Sequence, residues 1–117
     1  MQQGDLVWVK VPFSNFEEEK IRPALIVSND GYNASSFDVV VCAITSNLEQ
    51  MPYSLMISQK NLSQGELPLS SKIRVDKIFQ LEKTKVLKPF AKLNNETFEL
   101  VVNQIAKLVS RKKVKFF

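Results

Sequence analysis

The stretch Asn94-Asn95-Glu96-Thr97-Phe98-Glu99-Leu100-Val101-Val102-Asn103-Gln104-Ile105-Ala106-Lys107-Leu108-Val109 is where the chain changes its repeat. Its apolar residues Phe98, Val101, Val102, Ile105, Leu108 and Val109 fall along one stripe at helical spacing. Asn94 has the short acceptor side chain of an N-cap, and Glu96 suits a first turn, where the helix dipole is positive. Arg111, Lys112 and Lys113 suit the last turn for the opposite reason. The spacing predicts a helix over 95–110.

Upstream of Asn94 the pattern is that of strands. Asp5-Leu6-Val7-Trp8-Val9-Lys10-Val11 is rich in β-formers and stops at Pro12. A polar loop with the acidic run Glu17-Glu18-Glu19 leads to a second strand, Arg22 to Ser28, with Pro23 near its start, where a missing donor is tolerated. Asn29 to Asn33 is a turn cluster. Phe37 to Ser46 is apolar on both faces in its middle, which predicts a central strand. Tyr53 to Ile57 is a shorter strand, and 58–70 reads as a long loop. Ser71 to Val75 alternates as a half-exposed strand does, and Val86 to Leu93 is the last strand. Six strands followed by one helix, without linker or repeat, predict a mainly β fold: one domain over 1–117, a small β-barrel closed off by a helix.

Composition narrows the chemistry. Four of the 16 basic residues, Arg111, Lys112, Lys113 and Lys115, sit in the tail; the other 12 match the 12 acidic residues. Only a local patch can therefore argue for nucleic acid. The absence of histidine rules out His-based acid–base catalysis and, with a single cysteine, makes a zinc site untenable. No cofactor or metal is expected. The lone Cys42 fits a reducing compartment, and no basic segment plus long apolar run opens the chain. A cytoplasmic protein away from the membrane is expected.

Three segments, in order, resemble the MazF/PemK toxin family. They are Gly4-Asp5-Leu6-Val7-Trp8-Val9; Arg22-Pro23-Ala24-Leu25-Ile26-Val27-Ser28-Asn29-Asp30; and Cys42-Ala43-Ile44-Thr45-Ser46, followed by Leu67-Pro68-Leu69-Ser70-Ser71-Lys72-Ile73-Arg74-Val75-Asp76-Lys77-Ile78-Phe79. The resemblance implies an SH3-like barrel of the MazF/CcdB type with a C-terminal helix. It implies the toxin of a type II toxin–antitoxin system, an endoribonuclease that cuts single-stranded RNA without metal and leaves 2′,3′-cyclic phosphate and 5′-hydroxyl ends. A homodimer and a cognate antitoxin of the MazE/PemI kind are the implied partners. The matching catalytic positions are Arg22 and Thr45, with Ser46 as assistant and Glu17 as a candidate base. Lys20, Lys72, Arg74 and Lys77 are the candidates for holding RNA. The first loop departs from the family's pattern, with Phe16 where a serine precedes the acidic position.

Plainer readings stand beside these. One has Arg22 as an ion-pair partner of Glu17, Glu18 or Glu19 and Thr45 as a plain β-former at a strand end, and Trp8 is read as core or dimer interface more than as a base-stacking ring. Two other functions stay open: a catalytically inactive RNA- or antitoxin-binding module, and a CcdB-like toxin acting on DNA gyrase, for which Phe116-Phe117 offers a superficial likeness.

Overall fold

The computed structural model describes residues 1–12 and 18–111. Its elements in chain order are β1 (Asp5–Pro12), β2 (Glu19–Ile26), a short helix α1 (Asp30–Ser35), β3 (Asp38–Thr45), β4 (Ser54–Ile57), β5 (Leu62–Gly65), β6 (Ser71–Glu82), β7 (Val86–Leu93) and α2 (Asn95–Val109). The strands form one antiparallel sheet of seven in the order β4-β6-β3-β2-β1-β7-β5.

The expected small barrel is present as a curled sheet that stays open at two edges. β4 and β5 are its edges. Yet Ile57 of β4, Leu62 of β5 and Leu93 of β7 pack in one apolar cluster with Leu6, Leu25 and Val101. Strands from opposite ends of the order share a core only if the sheet wraps strongly, as right-handed twist and bulges make it do. Phe98 and Ile105 of α2 pack against this cluster, as the helical stripe predicted. The other face has its own core: Val7, Val9, Ile26, Val39, Val41 and Leu81. The middle of β3, at Val41 and Cys42, is thus buried from both faces, which explains why Val39–Ile44 shows no alternation.

Three expectations needed adjustment. The 58–70 loop contains β5, whose single apolar residue, Leu62, gives no strand pattern. Gly65 ends it at φ +79°, and a Cβ there would lie 2.3 Å from the Phe90 carbonyl oxygen, so only glycine lets the edge strand approach β7. The Asn29–Asn33 turn cluster is mostly the start of α1, capped when the Asn29 side chain accepts from the Tyr32 N–H. β6 runs seven residues beyond Val75 and is bent. Ala43 pairs with Arg74 but Cys42 with Ile78, so Val75, Asp76 and Lys77 bulge out of the ladder.

Asn94 caps α2 as expected, its side chain accepting from the Thr97 N–H at 2.8 Å. The helix stops at Val109, with Lys107 as the basic residue of its last turn; Arg111 lies past the cap, and Lys112 and Lys113 lie outside the described residues. No helix among the described residues is long and apolar enough to cross a membrane.

Candidate functional site

The β2–β3 ladder pairs Ile26 with Val41, Leu25 with Cys42 and Ala24 with Ala43, and there it ends. Continued by two residues, that register sets Arg22 opposite Thr45. From Pro23 back to Glu19, β2 pairs only with β1, while the end of β3 pairs with β6. The two strands part where the arginine and the threonine sit. A cleft opens on each face of the parted strands, and Arg22, Pro23, Ile44 and Thr45 line both.

The first cleft, about 450 Å³, has an apolar wall. Trp8 stacks on Phe90 with centroids 4.8 Å apart, and Leu67, Pro68 and Leu69 stand with them beside Ser46. Trp8 was expected in the core or an interface; here it is half-buried and shapes the cleft. Phe90 and the Leu67–Leu69 segment as cleft walls were not anticipated, because nothing in their local spacing separates a cleft wall from core. The second cleft, about 650 Å³, holds Arg22, Arg74 and Lys77 over a floor of Val9, Ile44 and Leu81. No carboxylate is among its described lining residues.

The candidate residues divide accordingly. Arg22, Thr45 and Ser46 come together, and Arg74 and Lys77 join Arg22 and Thr45 across the second cleft. Arg74 is already engaged: it donates to both carboxylate oxygens of Asp76, at 2.9 and 3.0 Å. That bond holds the Asp76 carboxyl below the usual carboxylate range and pushes the Arg74 guanidinium up. Lys20, on β2 opposite Val11, lines neither cleft. Lys72 does not reach an open surface. It is 1% exposed, and its ammonium donates to the Glu49 carbonyl, so its expected contact with RNA is corrected. The strand is not half-exposed there because the segment after β3 comes back to it, with the Glu49 carbonyl on the Lys72 ammonium. Tyr53 lines neither cleft.

The acidic run is partly accounted for. Glu19 pairs with Lys85 at 2.7 Å, and that hydrogen bond lowers its carboxyl below the ordinary value. It therefore has a partner other than Arg22. Glu17 lies outside the described residues. Cys42 is fully buried, and burial lifts its thiol from an ordinary 9.0 to about 12, so no thiolate nucleophile is on hand. Among the described residues no three His, Cys, Asp or Glu side chains group as a metal would require.

A fixed cation with a planar donor fork, a neutral hydroxyl opposite it and flat aromatic walls alongside suit one kind of ligand. The guanidinium matches phosphate oxygens, the hydroxyl can donate to one of them, and the aromatic wall can meet a base face.

Solved structures share this architecture. An endoribonuclease from a mycobacterial species, in complex with its cognate antitoxin, superposes with a TM-score of 0.75 at 20% identity, over 92% of each chain. MazE–MazF from Deinococcus radiodurans gives 0.77 at 19% identity, over 93% of this chain and 95% of that one. The Mycobacterium tuberculosis toxin MazF-mt6 gives 0.72 at 14%, over 88% and 93%. At such identities the likeness shows the fold. No curated protein matches in sequence. The family model for PemK-like, MazF-like toxins of type II toxin–antitoxin systems matches residues 2–109, nearly the whole chain, and the protein belongs to that family.

Proposed function

We propose that this toxin is an endoribonuclease that cuts single-stranded RNA without a metal. The observation that carries the reading is the opposition of Arg22 and Thr45 where the β2–β3 ladder ends, in the wall shared by two clefts. In the reaction the ribose 2′-oxygen attacks the adjacent phosphorus and the bond from phosphorus to the 5′-oxygen breaks. The 2′-hydroxyl proton leaves to a base, and the departing 5′-oxygen takes up a proton. The products are a 2′,3′-cyclic phosphate and a 5′-hydroxyl.

Arg22 supplies the charge that a metal would otherwise supply. Its guanidinium presents a fork of donors to the non-bridging oxygens, where negative charge grows in the transition state. Thr45 donates to one of those oxygens and fixes the phosphate in line. Ser46 assists at the mouth of the apolar cleft. The mechanism is centred on arginine; Glu17 ranks second, as the proton acceptor. Arg74 and Lys77 extend the positive track for the neighbouring phosphates.

The functional unit is a cytoplasmic homodimer, since a small core gains from burying further apolar surface. Its partner is a cognate antitoxin whose disordered acidic segment occupies the RNA clefts and mimics the substrate's charge. The mycobacterial endoribonuclease solved with its cognate antitoxin and the Deinococcus MazE–MazF structure support the pairing with an antitoxin.

The test is a cleavage assay on a long single-stranded RNA with purified protein in EDTA, with end-group analysis of the fragments. Cutting in EDTA to cyclic phosphate ends is expected, and Arg22→Ala should slow it by roughly 10² to 10³. A folded wild type that leaves RNA intact with or without divalent metal would sink the nuclease reading and leave a binding module or a toxin aimed at a protein.

A further inference from the structure

Lys72 is an anomaly by its chemistry. Among the described residues it is the bulkiest fully buried side chain, and no carboxylate lies within ion-pair distance of it, although its charge reaches Asp76 through space. Burying an ammonium costs far more than burying the methylenes beneath it, and an apolar side chain of the same length would fill the space more cheaply. Its one recorded hydrogen bond is to the Glu49 carbonyl.

That bond closes a circuit through Thr45. Thr45 and Lys72 are direct cross-strand partners on β3 and β6, so their side chains leave the same face of the sheet. After Thr45 the chain turns back on itself: the threonine Oγ1 accepts from the Asn47 N–H at 3.1 Å, and the Asn47 side chain accepts from the Glu49 N–H at 3.0 Å. The Glu49 carbonyl then receives the Lys72 ammonium. One acceptor site of the hydroxyl is thus occupied by the loop's own backbone. The rotor is restricted, and the O–H proton is left to point away from Asn47.

We infer that Lys72 is a positioning residue: its buried ammonium anchors the segment after β3 so that Asn47 holds the Thr45 hydroxyl in its donating orientation. The inference rests on the nuclease reading above for its effect on cleavage, but not for the anchoring itself. It also explains why the charge is kept out of the RNA clefts. Lys72 serves them from behind, through backbone that Thr45 shares.

The test uses Lys72→Met, which keeps the stem and removes the charge, beside Asn47→Ala, an exposed change at the far end of the same circuit. Lys72→Met should lower kcat about 10-fold with KM changed less than about 2-fold, since a misaligned donor loses rate more than binding. It should melt no lower than the wild type, because apolar replacement of a buried charge is commonly neutral or stabilising. In a Thr45→Ala background, Lys72→Met and Asn47→Ala should each change kcat less than about 2-fold, since residues acting through one group are not additive. Amide exchange at Asn47 and Glu49 should quicken about 10-fold in Lys72→Met, with Ile44 and Ile73 unmoved. A full 10-fold loss persisting in the Thr45→Ala background would overturn the positioning role, as would an unchanged kcat. Unchanged exchange at Asn47 and Glu49 would overturn the anchoring, and that arm reads out even if the wild type cuts no RNA.

Discussion

The two ends of the β2–β3 pair teach opposite lessons. At one end, Leu25, Ile26, Val41 and Cys42 are fully buried, laddered on both sides and dry on both faces. At the other, two residues past the last pair, Arg22 is exposed and Thr45 half-buried, and the strands have separated. The same two strands thus supply the rigid core and the edge proposed as the site. A site built this way takes its precision from the packing behind it and its access from the break in the ladder. Function at the break should therefore be separable from stability in the core.

The largest effect expected is on the open end. Arg22→Ala should slow RNA cleavage by roughly 10² to 10³, the loss typical of removing one donor to a developing oxyanion. Its melting curve should overlay the wild type's, because the side chain is exposed. Thr45→Ala should lose less, because water can partly replace one neutral hydroxyl. Rate measurements with a melting curve beside each variant check this. A large loss of stability in Arg22→Ala would mean the two ends are not independent.

The converse variant lies in the core. Val101, on the buried face of α2, is wholly inaccessible and packs with Leu6 and Leu25. Val101→Ala should cost roughly 2 kcal/mol of unfolding free energy, from lost transfer energy plus the cavity. Below its melting temperature kcat should hold. Urea unfolding and single-turnover cleavage on the same preparation would decide it, and a matching drop in kcat would tie site geometry to the helix.

How far the sequence could be read follows the same division. The helix was legible because Phe98, Val101 and Ile105 repeat at 3.6 residues and Asn94 announces the start. β3 was legible because a run buried on both faces needs no alternation. β5 was not, since Leu62 alone in Leu62–Gly65 leaves no period, and its place is set by its partner β7 and by Gly65. Within the site, the nearness of Arg22 to Thr45 could be expected only through the family resemblance, because register between strands is a tertiary property. Lys72 was misjudged for a related reason. A lysine within a strand looks solvent-facing until the chain segment that returns to it, here at Glu49, is known.

Cys42 offers a smaller test of the packed end. Burial pushes its thiol up to about 12, against an ordinary 9.0. In the unfolded chain the thiol loses its proton first. Native stability is therefore whole below about pH 9 and is lost as pH climbs toward 12, by about 1.4 kcal/mol per pH unit from this group. The measurement is the slope of unfolding free energy between pH 9 and 10.5 in wild type and Cys42→Ala. The wild type should fall more steeply, whatever constant cost the smaller side chain adds. Equal slopes would mean that water reaches the thiol and that this end is less dry than its packing indicates.

The smallest effect belongs to the clasp at the bulge of β6, between the two ends. Arg74 and Asp76 form a two-pronged pair at the second cleft, with side chains 28% and 33% exposed. Exposed pairs of this kind contribute little to stability, since water screens them and both side chains must be ordered. The Asp76 carboxyl is lowered chiefly by its hydrogen bond to Arg74. The pair is therefore intact above the ordinary aspartate value, and what little it contributes is lost as pH falls through the depressed one. At neutral pH, Asp76→Asn should leave the melting temperature where it was. Its consequence should appear in binding. Freed from the carboxylate, Arg74 can offer its fork to a phosphate beside Lys77 and Arg22, so KM for RNA should fall while kcat holds. The fall should shrink as salt is raised, because phosphate contacts are screened. A KM that rises on freeing Arg74 would show that Asp76 aims the guanidinium at the substrate instead of competing for it.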